Sequence, residues 1–215
     1  MILAVFFTVI LPAAEEPEVL AYNAILPVNI EVSDAQPYLA KDFHVLLENS
    51  LLANGVRLHN MQKVQNILAR NKLGHLNAME PRWFIAVGKL LQVRALIMVT
   101  VTRFELIEKT YHVEETGANG VRYTGFQEGF VRVISAQSGE VFASIPFEQQ
   151  VDFRKLPRTQ TRDWESDDYY RHMTKESVKI IVPQLLKIPA LSGELSGAAS
   201  VPSGSSSTGG MSVVL

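Results

Sequence analysis

The stretch from Trp83 to Thr110, WFIAVGKLLQVRALIMVTVTRFELIEKT, changes its hydrophobic rhythm in the middle. Phe84, Val87, Leu90 and Leu91 recur at helical spacing, behind a Pro81 that suits a first helical turn, where a missing N–H is harmless. From Ala95 to Leu106 the chain is continuous and β-rich, with Ile97, Val99 and Val101 sharing one face. Only Gln92, Val93 and Arg94 separate the two. The Gly88-Lys89 pair invites a phosphate-loop reading. That loop needs G-x-x-x-x-G-K-[ST] between a strand and a helix, so that its amides face the phosphates. Here Gly88 lies inside the helical pattern, Leu90 takes the hydroxyl position, and no earlier glycine stands at the right spacing. Gly88 reads instead as a point of close packing between helix and sheet, at a cost of about 1 kcal/mol in helix propensity.

Working outward, Val19 to Val32 reads as a first strand interrupted by Pro27. Leu39, Phe43, Leu46, Leu47 and Leu51 then follow helical spacing, and Gly55 suits the C-terminal stop. Val56 to His59 makes a short strand, and Val64, Ile67 and Leu68 mark a second helix that ends near Gly74. After the long strand, a turn at TGANG (Thr116 to Gly120) reverses the chain, and a second turn sits around Gly139. In the third strand Val141, Ala143, Ile145, Phe147, Val151 and Phe153 point one way, while Ser144, Glu148, Gln150 and Asp152 point the other. A last helix opens at Asp167 and Asp168, where its dipole favours acids, and Pro183 should kink it or mark that it is near its end. The expected order is β-α-β-α-α-β-β-β-α. This is an α/β (α+β sandwich) fold, with a mixed sheet ending in an antiparallel meander and helices mainly on one face.

The chain of 215 residues has room for one domain plus tails. Its formal net charge of -2 gives no global field for nucleic acid. With no cysteine there is no disulfide, thiol nucleophile, cysteine-held zinc or cysteine-linked lipid anchor. The apolar run Ile2 to Leu11 would rise only about 15 Å as a helix, half a bilayer core. It fits the core of a signal peptide over residues 1–14, cleaved after Ala14, although no basic residue precedes it and Pro12 is out of place. The expected location is the periplasm or another exported compartment; the alternative is a cytoplasmic protein with a buried N-terminal strand. The folded domain spans 15–190, and the Ser/Gly-rich residues 191–215 form a flexible tail.

Three stretches carry a likeness to a known group: Leu46 to Leu68 (LLENSLLANGVRLHNMQKVQNIL), Val87 to Glu105 (VGKLLQVRALIMVTVTRFE) and Phe130 to Ser144 (FVRVISAQSGEVFAS). Together they resemble the CsgG-like superfamily of curli secretion, which includes the synthase activator LpoB and the N-terminal domain of TolB. Val93, Arg94 and Ala95 depart from its usual helix-to-strand turn, and the lipid-bearing cysteine of some members has no counterpart. The resemblance implies a non-catalytic envelope protein that works by binding another protein in secretion or cell-wall assembly.

Chemistry finds little footing in the sequence. The histidines His44, His59, His75, His112 and His172 form no close metal-binding pair. His44 reads as an ordinary helix-face residue. The acids of DWESDDYY, from Asp163 to Tyr170, lack the spacing of a calcium loop and read as a helix entrance. No G-x-S-x-G or G-x-G-x-x-G occurs. The expectation is therefore no enzyme, no cofactor and no metal. Two interaction candidates stand out. The first is the basic loop with Arg154, Lys155, Arg158 and Arg162 between aromatics. The second is the outer end of the long hairpin, with Tyr111, Tyr123 and Phe126. The expected partner is an envelope protein, with self-association as a further option. The alternatives are an outer-membrane channel subunit of the curli type, which would need lipid-facing strands of 9–11 residues, and a small cryptic enzyme.

Overall fold

The computed structural model describes residues 21–32, 37–73, 80–115, 117–156 and 164–192. The N-terminal apolar run and the Ser/Gly-rich tail beyond Ser192 lie outside them; Leu191 and Ser192, expected to begin that tail, close a short helix in which Leu191 is buried. The elements are β1 (Asn23–Ile25), β2 (Asn29–Ile30), α1 (Pro37–Ala53), β3 (Leu58–His59), α2 (Met61–Arg70), α3 (Pro81–Leu91), β4 (Ala95–Val113), β5 (Ala118–Ser135) and β6 (Val141–Asp152). A 3₁₀ turn (Phe153–Lys155), α4 (Ser166–Leu185) and the short α5 (Pro189–Ser192) follow. The expected element order is thus present. The first strand is split into β1 and β2 around Pro27, which has no N–H to give a ladder.

The helix-to-strand unit closes as its sequence implies. Pro81 opens α3, and Gln92 ends it in the left-handed region at φ 54°. The Val93 N–H then donates to the Gly88 carbonyl at 3.2 Å before the chain enters β4. β4 is the hub of the sheet, whose order is β3-β1-β4-β5-β6, with β2 also pairing to β4. The pairings of β1 with β3 and of β1 and β2 with β4 are parallel, while β4, β5 and β6 form the antiparallel meander.

The long helices α1 and α4 cover one face. There Phe43, Leu47 and Leu51 meet Ile97, Val99, Val131, Ile145 and Phe147, with Met173, Ile181 and Leu185 beside them. On the other face α2 and α3 cover only the start of the strands. Val64, Leu68, Phe84, Val87 and Leu91 pack there on Leu96, Met98, Ile134 and Ala136. Burying these side chains, at about 1.5–3 kcal/mol each, is the main force holding the layers together. Thr100 is still buried there and Phe130 half-buried; farther along, Arg103, Glu105, Phe126 and Glu128 of that face are exposed or half-buried.

Two register shifts matter. One falls between Val101 and Arg103 of β4, the other between Val133 and Ile134 of β5. The second puts Val141 opposite Ile134, so Val141 leaves the inward set expected from alternation and is 52% exposed. An extra residue in one strand turns every later side chain over, which a strict two-residue period cannot anticipate.

Candidate interaction surface

β4 and β5 are longer than β6. The last rung of β6 joins Thr124 to Asp152, whereas β4 and β5 continue through six more rungs, from Glu108–Tyr123 to Val113–Ala118. At about 3.4 Å per residue this two-stranded ribbon overhangs the body by about 20 Å. Its sides alternate: Glu108, Thr110, Tyr123 and Val121 face one way, Lys109, Tyr111 and Arg122 the other. Both sides carry charge and the span is short of a membrane strand, so the channel alternative draws no support here.

Where β6 stops, the 3₁₀ turn folds back under the ribbon. The Asp152 carboxylate accepts from the Arg154 backbone N–H at 3.1 Å and from Arg154 Nε at 2.8 Å and Nη2 at 2.5 Å. Arg154 holds the Asp152 carboxyl down at about 2, well below its usual range. Phe153 turns inward against Tyr169, with centroids 4.8 Å apart, and Tyr169 stacks on Tyr123 at 4.6 Å. Burial raises the Tyr123 phenol, with Glu108 adding to the effect, and burial likewise raises Tyr169. Trp164 and His172 complete this aromatic wall, 5.3 Å apart.

The result is a cleft of about 250 Å³ at the foot of the overhang, lined by Tyr111, Val121, Tyr123, Phe153, Arg154 and Tyr169 among others. Three residues expected to bind a partner, Tyr111, Tyr123 and Arg154, meet in it. Tyr111 is capped by the Arg122 guanidinium, 3.9 Å from its ring centroid. Phe126 lies elsewhere, on the open sheet face beneath Arg103 at 4.7 Å. Lys155 is exposed and lines a neighbouring groove. Arg158 and Arg162 lie outside the described residues. Arg154 is therefore no freely swinging cation. Its ion pair fixes the guanidinium plane and leaves three of five N–H groups for a ligand.

Sequence reasoning missed Phe153, Tyr169 and the pin on Arg154. The pin had a signal: Asp152 stands two residues before Arg154, a spacing at which a carboxylate reaches the next turn's N–H. The acids of the DWESDD segment cap α4, where the Glu165 N–H donates to Asp168 Oδ2 at 3.0 Å, and Asp167 accepts from the Tyr38 hydroxyl. His44, expected on a helix face, is 2% exposed, and burial lowers its pKa to about 4. Among the described residues no group of His, Asp and Glu is placed to hold a metal ion, and no helix is long and apolar enough to cross a membrane.

No protein-family model and no curated protein matches the chain. Solved structures do. The lipoprotein GNA1162 from Neisseria meningitidis superposes with a TM-score of 0.51 at 13% identity, covering 77% of this chain and 98% of that one. The hypothetical protein CT253 from Chlamydia trachomatis superposes with 0.50 at 12% identity, covering 78% and 96%. The C-terminal domain of LpoB from Escherichia coli gives 0.38 at 13% identity over 62% and 83%. At such identities the likeness is one of fold, and the chain shares the fold of GNA1162 and CT253 over nearly the whole of each.

Proposed function

We propose that this chain is a non-catalytic interaction protein of the bacterial cell envelope, exported by its N-terminal apolar segment, that holds a protein partner at the overhanging hairpin. One observation carries the reading. The six-rung overhang has a cleft at its foot, where Tyr111, Tyr123 and a pinned Arg154 present aromatic surface and directed N–H groups together. Aromatic and arginine side chains around a small concavity are the usual makings of a protein-binding hot spot. The shared fold with a lipoprotein, GNA1162, fits an envelope setting.

The test is site-specific photocrosslinking in the native host, with the crosslinker at Val121 in the overhang and, as a control, at the exposed Leu90 of α3. A discrete adduct with one envelope protein from position 121 and none from position 90 supports the proposal. Identical adducts from both positions, or none, reject it.

A further inference from the structure

The second feature is the outer edge of β6. Among the described residues β6 pairs only with β5, so one side of this 12-residue strand is an open row of backbone groups. Pro146 sets which residues point outward. Proline has no N–H for the ladder and is tolerated within a sheet where its nitrogen faces away from the neighbouring strand. Glu148, Gln150 and Asp152, at even spacing from Pro146, then turn their backbone N–H and C=O outward as well. Beside this half of the edge runs a groove of about 680 Å³ between β6 and α4, lined by the apolar Val151, Leu156 and 40%-exposed Ile180 and, among charged residues, by Lys155, Lys179 and Glu176.

Charge says what would fill the place. On the open sheet face Arg103, Glu128 and Glu148 stand in one row across β4, β5 and β6. Arg103 Nη1 donates to Glu128 at 2.7 Å and Nη2 to Glu105 at 3.0 Å, so its charge is already shared by two carboxylates. Glu148, at the end of the row, is exposed with no ion pair among the described residues. In the outward-backbone set of β6, Asp152 is already paired with Arg154, so Glu148 is the acid left without a cation among the described residues. An antiparallel second copy centred on Pro146 would oppose two residues with no N–H and set Glu148 against Ser144, and one centred on Gln150 would set Glu148 against Asp152, so neither register gives Glu148 a cation.

We propose that the β6 edge takes an extended peptide segment of alternating basic and apolar residues as an added strand. A Lys or Arg of the guest stands opposite Glu148 and completes the row. The guest residues on either side of it turn into the groove against Val151, Leu156 and Ile180. This groove adjoins the aromatic cleft, sharing Leu156 with it, but the proposal needs only the β6 edge and would stand if the hairpin bound nothing.

The probe is a fluorescent nine-residue alternating Val-Lys peptide, with its Val-Glu counterpart, titrated into the full chain and followed by anisotropy. The Val-Lys peptide binds and the Val-Glu peptide does not. Gln150→Pro removes an outward N–H without touching the β5 ladder, so it melts near the parent temperature and lowers affinity at least tenfold. Glu148→Lys reverses the charge preference. A Val-Lys peptide N-methylated at alternate residues loses binding to the unmodified chain, which keeps the test decisive if Gln150→Pro fails to fold. Equal binding by the N-methylated peptide means charge adhesion alone and overturns the proposal, as does no binding of either peptide. Concentration-dependent dimerisation abolished by Gln150→Pro would assign the edge to a second copy and overturn the chosen occupant.

Discussion

Gly88 lies against Ala136 with no room for a side chain: a Cβ added at Gly88 would fall 2.8 Å from the Ala136 carbonyl oxygen and 2.9 Å from its Cα. Helix α3 rests on the sheet at this point, so the glycine that resembled part of a phosphate loop is the point of closest approach between two layers.

Gly88→Ala should therefore destabilise the domain, although alanine is the better helix former. The propensity gain is about 1 kcal/mol. Against it, backbone atoms at 2.8–2.9 Å cannot yield as a flexible side chain would, and forced overpacking costs about 1–3 kcal/mol. A net loss of up to about 2 kcal/mol in urea unfolding is expected. A gain in stability would show that α3 is not seated as described.

Acid should weaken the fold through His44. Its pKa falls from 6.5 to about 4 because burial disfavours the imidazolium, even with Glu48 3.7 Å away. The unfolded chain takes up this proton near pH 6.5 and the folded one only near pH 4. Stability from this group is complete above pH 6.5 and declines as pH falls to about 4, by roughly 3 kcal/mol in total. Replacing His44 with Met, similar in bulk and unable to titrate, should flatten the stability profile across that interval. An unchanged slope would place the acid sensitivity elsewhere.

Ser177 should be worth more than its size. On the buried face of α4, its hydroxyl lies 2.8 Å from Gln127 Oε1 and 3.1 Å from Gln149 Oε1, while Gln127 itself is fully buried. Ser177→Ala strands buried amide groups and should cost about 1–3 kcal/mol. Adding Gln127→Leu should restore part of that loss, because the fully buried amide is then gone and only the half-buried Gln149 is left without the hydroxyl. A double variant less stable than the sum of the singles would contradict this account.

Reversing Arg154, Lys155, Arg158 and Arg162 to Glu together should weaken partner capture from envelope extracts. It should also lower the melting temperature, because the Arg154–Asp152 ion pair is lost and acid is set against acid there. Lys155→Glu alone, at an exposed residue with no such pair among the described residues, should weaken capture to a smaller degree while leaving the melting temperature within a few degrees. Unchanged capture would remove the basic loop from the binding site.

How much of this was legible in the sequence depended on whether a feature is local. The α3–β4 junction, the break at Pro27 and the acids opening α4 were readable because period, proline geometry and helix dipole act within a few residues. Gly88 was legible for the same reason, since a glycine inside a helical stripe has few other uses. Val141 was misassigned because a bulge is one extra residue with no compositional mark. The cleft was invisible as a unit. Tyr111, Tyr123, Phe153 and Tyr169 come from four segments, and only the early end of β6 and the turn after it bring them together. Arg154 was recognised as a cation, but its partner two residues upstream had been counted as the outward face of a strand.

The unbroken run of β4 has a mechanical meaning. One strand passes from the buried centre of the sheet, where β1, β2 and β5 grip it, to the tip of the overhang. Hydrogen bonds between strands lie across the strand axis. Tension applied at the tip along that axis would load the gripping rungs in shear, all together, instead of opening them one at a time. A partner pulling on the hairpin would therefore meet the resistance of the whole sheet.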